Sequence, residues 1–250
     1  MITVCYNSES FISCAINSVL SQTFSNIEFI VVDGGSKDNT VSIIQSFGNK
    51  ISYFVSEEDE GIYDAMNKGI MFAKGDVIGF LNSDDFYESN DVLSRVAEVF
   101  EKDPSLDACY ADLIYTEQSD IFRMVRYWRS GDFVPSSFSS GWCPPHPTFF
   151  VRSYVYKRFG SFDLNYHIAS DVELMMRFLE VYKIGVQYIP EVWVKMRMGG
   201  TTNKSLKNIW AQNQEVLRAL RNHGLASNPI RFFGHKLLSR GKQFFHRQSF

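Results

Sequence analysis

The sequence predicts an α/β fold with a mostly parallel central sheet, helices on both of its faces, and further helices at the C-terminus. Three observations carry this. Through the first half of the chain, short apolar runs alternate with segments of helical periodicity, as strands joined by crossover helices do. The run at 27–32 is almost continuously apolar and rich in β-branched residues, as a strand covered on both faces must be. Several of the strands end in polar residues and glycine, the composition found where an open sheet faces a ligand crevice.

The elements follow in order. Residues 2–6 read as a first buried strand that starts almost at Met1, so a few residues are expected to be missing in front of it. Phe11, Ile12, Ala15, Ile16, Val19 and Leu20 recur at helical spacing, with Ser8 or Ser10 available as a cap. The second strand ends in Asp33-Gly34-Gly35-Ser36, where glycine permits a tight turn into a helix at 41–47. A strand at 51–55 precedes a helix marked by Tyr63, Met66, Ile70 and Ala73 and closed by Gly75. A strand at 77–81 ends at Asn82-Ser83-Asp84-Asp85, and 91–102 is an amphipathic helix. Residues 106–115 and 121–127 then form an antiparallel pair. The segment 131–147 is a Ser-, Gly- and Pro-rich loop of the length that usually has a function. A strand at 148–151, a helix at 170–180 and a strand at 184–189 complete one domain, 1–203, followed by a helical tail, 204–250.

Composition narrows the function. A chain of 250 residues can build one sizeable domain, and a net charge of −3 offers no whole-molecule attraction to nucleic acid. Cys5, Cys14, Cys109 and Cys143 are far apart with no Cys-x-x-Cys pair. That excludes a zinc knuckle or a disulfide scaffold and fits a reducing cytoplasm. No apolar stretch approaches the ~20 residues that span a bilayer. The expected location is the cytoplasm, with peripheral contact at the inner face of the membrane.

Three strand ends carry the candidate chemistry: Tyr6-Asn7, Asp33-Gly34-Gly35 and Asn82–Asp85. Each alone reads as an ordinary turn; three in succession, two of them bearing carboxylates, point to a site. Adjacent carboxylates are costly unless a cation or a proton offsets them. Magnesium-like ions use one or two carboxylates together with substrate phosphates. The Asn82–Asp85 cluster lacks the spacing of a calcium loop.

The motifs Thr3-Val-Cys-Tyr-Asn7, Val31-Val-Asp-Gly-Gly-Ser-Lys-Asp38, Glu60-Gly-Ile-Tyr-Asp-Ala-Met-Asn-Lys-Gly69, Phe80-Leu-Asn-Ser-Asp-Asp85, Gly160-Ser-Phe-Asp163 and Ser170-Asp-Val-Glu-Leu174 are short, but their order and spacing are specific. Over residues 2–200 the chain resembles the nucleotide-diphospho-sugar glycosyltransferases of family 2, closest to bacterial enzymes of surface polysaccharide synthesis. The resemblance implies a GT-A fold, a nucleotide-sugar donor, expected to be a UDP-sugar, and an Mn2+ or Mg2+ cofactor. It implies that Asp33 accepts a hydrogen bond from the base, with Tyr6 near the ring. Asp84 is then the metal ligand, Asp85 supports it, and Asn82 contacts ribose where many relatives carry Asp. Asp171 falls on the general base of an inverting transfer, with Ser170 in place of the usual Glu. Without the resemblance, Asp171 reads as an acidic helix cap.

Other residues are weighed in the same way. The segment 59–68 reads either as a charged surface helix or as a donor contact through Asp64, Asn67 or Lys68. His146, between two prolines, is either structural or part of the acceptor cleft. Arg197-Met-Gly-Gly-Thr-Thr202 resembles a loop that closes over the diphosphate, with Arg197 meeting leaving-group charge. From 228 to 250 there are five Lys or Arg, two His and no acid, interleaved with Phe232, Phe233, Leu237, Leu238, Phe244 and Phe245. A basic amphipathic helix of this kind suits an anionic membrane surface and hence a lipid-linked saccharide acceptor; folded back, it would instead cover the core. A dinucleotide dehydrogenase would need Gly-x-Gly-x-x-Gly, which is absent, and a nucleotidyltransferase would need a glycine-rich basic loop where Asn7-Ser-Glu-Ser10 stands. A non-catalytic sugar-nucleotide or glycan-binding module is the remaining alternative.

Overall fold

In a computed structural model, which describes residues 1–199, 206–225 and 228–245, the apolar runs near the N-terminus become three parallel strands. β1 (Ile2–Cys5), β2 (Ile30–Asp33) and β3 (Tyr53–Ser56) lie in that order, with Thr3 opposite Val31 and Val31 opposite Phe54. Every residue of β1 and β2 is buried, because both faces of the sheet are covered. On one face Cys5, Phe29 and Val31 pack against Ile12 and Ile16 of α1 (Ile12–Leu20) and Ile44 of α2 (Thr40–Ser46). On the other, Val4, Ile30 and Val32 pack against Tyr63, Ala65 and Met66 of α3 (Ile62–Phe72). Strand alternation thus sends neighbouring residues into two separate cores. α3 lies so close to β1 that a Cβ at Gly69 would stand 2.5 Å from Ile2 Cγ2.

The start of α1 departs from expectation. No side chain caps it; the Ser8 carbonyl accepts the N–H groups of Phe11 and Ile12. The Ser8 hydroxyl instead meets Ser83 Oγ at 2.9 Å, linking two strand ends.

β4 (Val77–Ile78), β5 (Phe86–Tyr87), β6 (Ala108–Thr116), β7 (Met124–Trp128), β8 (Phe150–Arg152) and β9 (Val186–Arg197) form a second sheet. Its order is β4-β8-β6-β9-β5, with β7 on β6. A parallel bridge between Ile2 and Phe80, with Ile2 N–H on Gly79 O and Leu81 N–H on Ile2 O, both at 3.0 Å, joins the two sheets. The expectation of a mostly parallel sheet holds for β1–β3 and fails here. Only β6 and β9 run parallel; β4–β8, β5–β9, β6–β7 and β6–β8 are antiparallel. Short links such as the one between β6 and β7 cannot make the crossover that parallel pairing needs.

α4 (Val92–Lys102) covers the first core, while α5 (Ser153–Phe159) and α6 (Ser170–Met176) cover the second. The helix expected through 180 changes at Arg177–Val181 to a π-helical turn. The 131–147 loop is held from within by Tyr110 Oη on Gly131 O (2.8 Å) and Trp142 Nε1 on Ser130 O (2.7 Å). α7 (Leu206–Asn222) and α8 (Pro229–Phe245) follow, and Val216, Leu217, Leu220 and Phe232 enter the same core as α3 and α6. The expected boundary at 203 and the loop residues Gly200, Thr201 and Thr202 lie outside the described residues. Among the described residues no helix is long and apolar enough to cross a membrane.

Candidate active site

Because β1, β2, β3 and the Phe80–Leu81 segment run parallel, their carboxyl ends open on one edge. Tyr6, Asp33 and Asn82 end there, as the sequence predicts, and Ser56 joins them from β3. Asp33, expected to meet the base, is fully buried and accepts hydrogen bonds from Gly35 N, Ser36 N, Ser36 Oγ, Ser56 Oγ and Cys5 Sγ. Its carboxylate thus ties the Gly34–Ser36 turn to β1 and β3. The Tyr6 ring, 60% exposed, stands open beside that turn, and the Asn7 N–H donates to Ser36 Oγ.

The carboxylate that faces this edge is that of Asp59. A Cβ at Gly34 would lie 2.3 Å from Asp59 Oδ2, so a residue without a side chain is what lets Asp59 lean over the end of β2. Its Oδ1 accepts from Gly61 N at 2.9 Å. Burial raises its pKa, as do Asp64 and Asp33, while the Gly61 hydrogen bond and Lys68 oppose this.

The Asn82–Asp85 cluster closes on itself. Asp85 N–H donates to Asn82 O (3.1 Å) and Asn82 Nδ2 donates to Asp85 Oδ2 (2.9 Å). Asp85 Oδ1 is buried without a hydrogen-bond partner among the described residues. Burial and then the adjacent Asp84 carboxylate push the Asp85 carboxyl well above its ordinary pKa, against the pull of Asn82 and Arg197. Asp84 itself is half-buried. An orphaned carboxylate oxygen behind a half-exposed carboxylate fits a hard divalent cation. Among the described residues no group of three or more His, Cys, Asp or Glu gathers to hold one, so phosphate and water would complete the shell. Arg197 ends β9 beside Asp85. Its guanidinium lies over the rings of Phe11 and Phe86 and donates to Cys14 Sγ at 3.3 Å.

Asp171 sits in the first turn of α6, where Ala169 rather than Asp171 is the N-cap. Its Oδ1 accepts a 2.9 Å hydrogen bond from Tyr63 Oη on α3. His146 is buried between Phe80 and Phe162, with ring centroids 5.3 and 5.5 Å away, and its Nε2 lacks a partner among the described residues. Burial lowers its pKa, partly opposed by Asp171, so the imidazole is neutral at neutral pH.

Three further candidates are engaged within the protein. Asn67 exchanges both amide groups with the backbone of Phe162, at 2.9 Å each, and so fixes a loop. Lys68 Nζ is held by Glu57 (2.9 Å), Asp64 (3.3 Å) and Glu58 O (3.1 Å), and Asp64 also accepts from Glu60 N. These charges brace the turn into α3.

Sequence reasoning passed over Asp59, Tyr63 and Glu215. Glu215, on α7, accepts the N–H groups of His167, Ile168 and Ala169 at 2.9–3.0 Å, immediately before Asp171. Arg218 adds a bond to Asn165 O, and His223 one to Glu173.

With this geometry established, comparison with known proteins is specific. The family model described as "Glycosyl transferase family 2" matches residues 1–178. An uncharacterised glycosyltransferase of Rickettsia typhi is 32% identical over 213 residues, 82% of this chain and 65% of that protein; the chain therefore spans just under two thirds of that relative. In fold, the chain is similar to residues 1–349 of S. aureus TarS in complex with UDP (TM-score 0.63, 20% identity, 91% of this chain and 66% of that one). It is also similar to the mannosyltransferase PcManGT of Pyrobaculum calidifontis in complex with GDP-Man and Mn2+ (TM-score 0.61, 17% identity, 96% and 78%). A match over most of the chain, on the GT-A fold of these neighbours, settles the family: this chain belongs to glycosyl transferase family 2.

Proposed function

We propose that the protein transfers a sugar from a nucleotide-diphospho-sugar, a UDP-sugar, to an acceptor hydroxyl with inversion. The observation that carries this is the Tyr63–Asp171 hydrogen bond, which fastens a helix-borne carboxylate to the helix that starts beside the nucleotide edge. Asp171 takes the proton of the acceptor hydroxyl as that oxygen attacks the anomeric carbon. The bond from that carbon to the diphosphate breaks in the same step, and the nucleoside diphosphate departs. Tyr6 and Asp59 hold the nucleotide end, Asn82 lies near the ribose, and Arg197 contributes positive charge behind Asp85. Mn2+ or Mg2+ held by Asp84, with Asp85 behind it, would neutralise charge on the diphosphate. The neighbours solved with UDP and with GDP-Man and Mn2+ support a nucleotide-sugar donor and a divalent ion.

A screen of nucleotide-sugars with and without manganese tests this. The expected result is slow UDP release from one UDP-sugar, lost on chelation. GDP release from a GDP-sugar would correct the base, and no release from any donor would leave only the binding-module alternative.

The acceptor in this reading is a lipid-linked saccharide presented at a membrane, with the catalytic unit spanning 1–203 and the tail 204–250. Support comes from α8, which Asn228 starts by accepting Ile230 N–H. The helix buries Phe232 in the core yet leaves Ile230 86% and Leu238 66% exposed, near Trp210 at 60%. The buried Phe232 supports the folded-back reading, and the exposed Ile230 and Leu238 support the membrane reading of the opposite face. The side chains of Leu237, Phe244 and Phe245 lie outside the described residues. Truncation would remove Phe232 from the core, so Ile230→Glu with Leu238→Glu is the cleaner test. Loss of two exposed aliphatic groups that would bury in the bilayer, at about 1.5–3 kcal/mol each, should weaken binding to phosphatidylserine-containing vesicles at least tenfold. Equal co-sedimentation of both proteins would remove the membrane reading.

A further inference from the structure

We infer that Tyr63 is a positioning residue for Asp171, holding one carboxylate oxygen so that the other faces the acceptor. This rests on the reading of Asp171 as the base. Tyr63 Oη donates to Oδ1 at 2.9 Å, and among the described residues Oδ2 takes no hydrogen bond. The phenol is itself fixed. Its ring is 8% exposed and stacks on Phe162 at 5.5 Å. One turn later on the same face of α3, Asn67 grips both backbone groups of Phe162. α3 therefore holds the segment leading to Asp171 at two points, Asn67 through the backbone and Tyr63 through the carboxylate.

The opposite side of that segment is held by Glu215. Among the described residues, Cys143 and His146 also feel the Asp171 charge. Burial, and next the Asp171 charge, push the Tyr63 phenol well above its ordinary pKa, so at neutral pH it remains a donor. A rigid donor on one oxygen fixes the plane of the carboxylate, and a proton acceptor works only within hydrogen-bond reach of its proton. The N-cap of the same helix is Gly61, whose N–H donates to Asp59. Tyr63 is thus two residues from the turn that presents the proposed nucleotide contact.

Tyr63→Phe removes the hydroxyl and keeps the buried ring. Losing a hydrogen bond to a charged group should lower kcat roughly ten- to hundredfold. KM for the donor, Kd for UDP and Tm should stay close to wild type. The decisive measurement is a double-mutant cycle in single-turnover assays at high enzyme concentration. In an Asp171→Asn background, Tyr63→Phe should cost nothing further, because residues that act as one unit are non-additive. An equal loss in both backgrounds, or a fall in UDP affinity in step with turnover, would overturn the inference while leaving Asp171 as the base. Full turnover in Asp171→Asn alone would overturn both.

Discussion

Asp171→Asn is expected to lower turnover by roughly 10²–10⁴-fold, the usual contribution of a general base, with UDP and donor affinity unchanged. The substitution is nearly isosteric, and the Asn oxygen can still accept from Tyr63 Oη, now 2.9 Å from Asp171 Oδ1. What disappears is the ability to take a proton from the acceptor. The proposed nucleotide edge at Tyr6, Gly34 and Asp59 is built from other elements and is left intact. Calorimetric titration with UDP beside single-turnover rates separates the two effects. Affinity that falls in proportion to rate would mean that Asp171 holds the donor and that the proton goes elsewhere.

The second large effect concerns stability. Glu173, two residues after Asp171, is 2% exposed and lies between Arg177 Nε at 2.9 Å and His223 Nε2 at 2.7 Å. Arg177 also donates to the carbonyls of Phe159, Gly160 and Ser161. Glu173→Ala strands a largely buried guanidinium and should cost about 3–5 kcal/mol. At roughly 2–4 °C per kcal/mol, thermal melts at neutral pH should register a drop of about ten degrees. The pH dependence has a definite sign. Burial disfavours the ionised form most strongly, but hydrogen bonds from His223 and Arg177 and their charges overturn it, so the folded pKa lies below the ordinary glutamate value. The resulting stability is present above the unfolded pKa and is lost as pH falls through the lower, folded one. Glu173→Gln should accordingly flatten the acid side of a Tm–pH curve. Melts of Glu173→Ala that match wild type would sink this account.

Much of the fold was legible. The strands near 2–5, 30–33 and 53–56, the glycine turn after β2 and the acidic turn after Leu81 follow from local pattern, and so does the helix that opens with Asp171. The direction of the later strands did not, because pairing among β4, β5, β8 and β9 is decided between residues far apart in the chain. At the site, burial was the missing quantity. Asp33 at a strand end reads alike whether it is open or buried, and its five hydrogen bonds to the turn, Ser56 and Cys5 appear only in the structure. Asp59 was hidden in the run Glu57-Glu58-Asp59-Glu60, where nothing local marks one acid. The available signal was the side-chainless Gly34 across from it. Tyr63 and Asn67 share a face of α3, and helical spacing made that face read as core and surface.

The Glu215 clamp reaches beyond this molecule. Residues 1–178 carry the family match, yet the loop that delivers Asp171 is fastened by a helix that begins at Leu206. Exchanging the C-terminal helices between relatives would therefore replace the fastening of that loop as well. A graft without a carboxylate at the place of Glu215 should leave the N–H groups of His167, Ile168 and Ala169 without that acceptor.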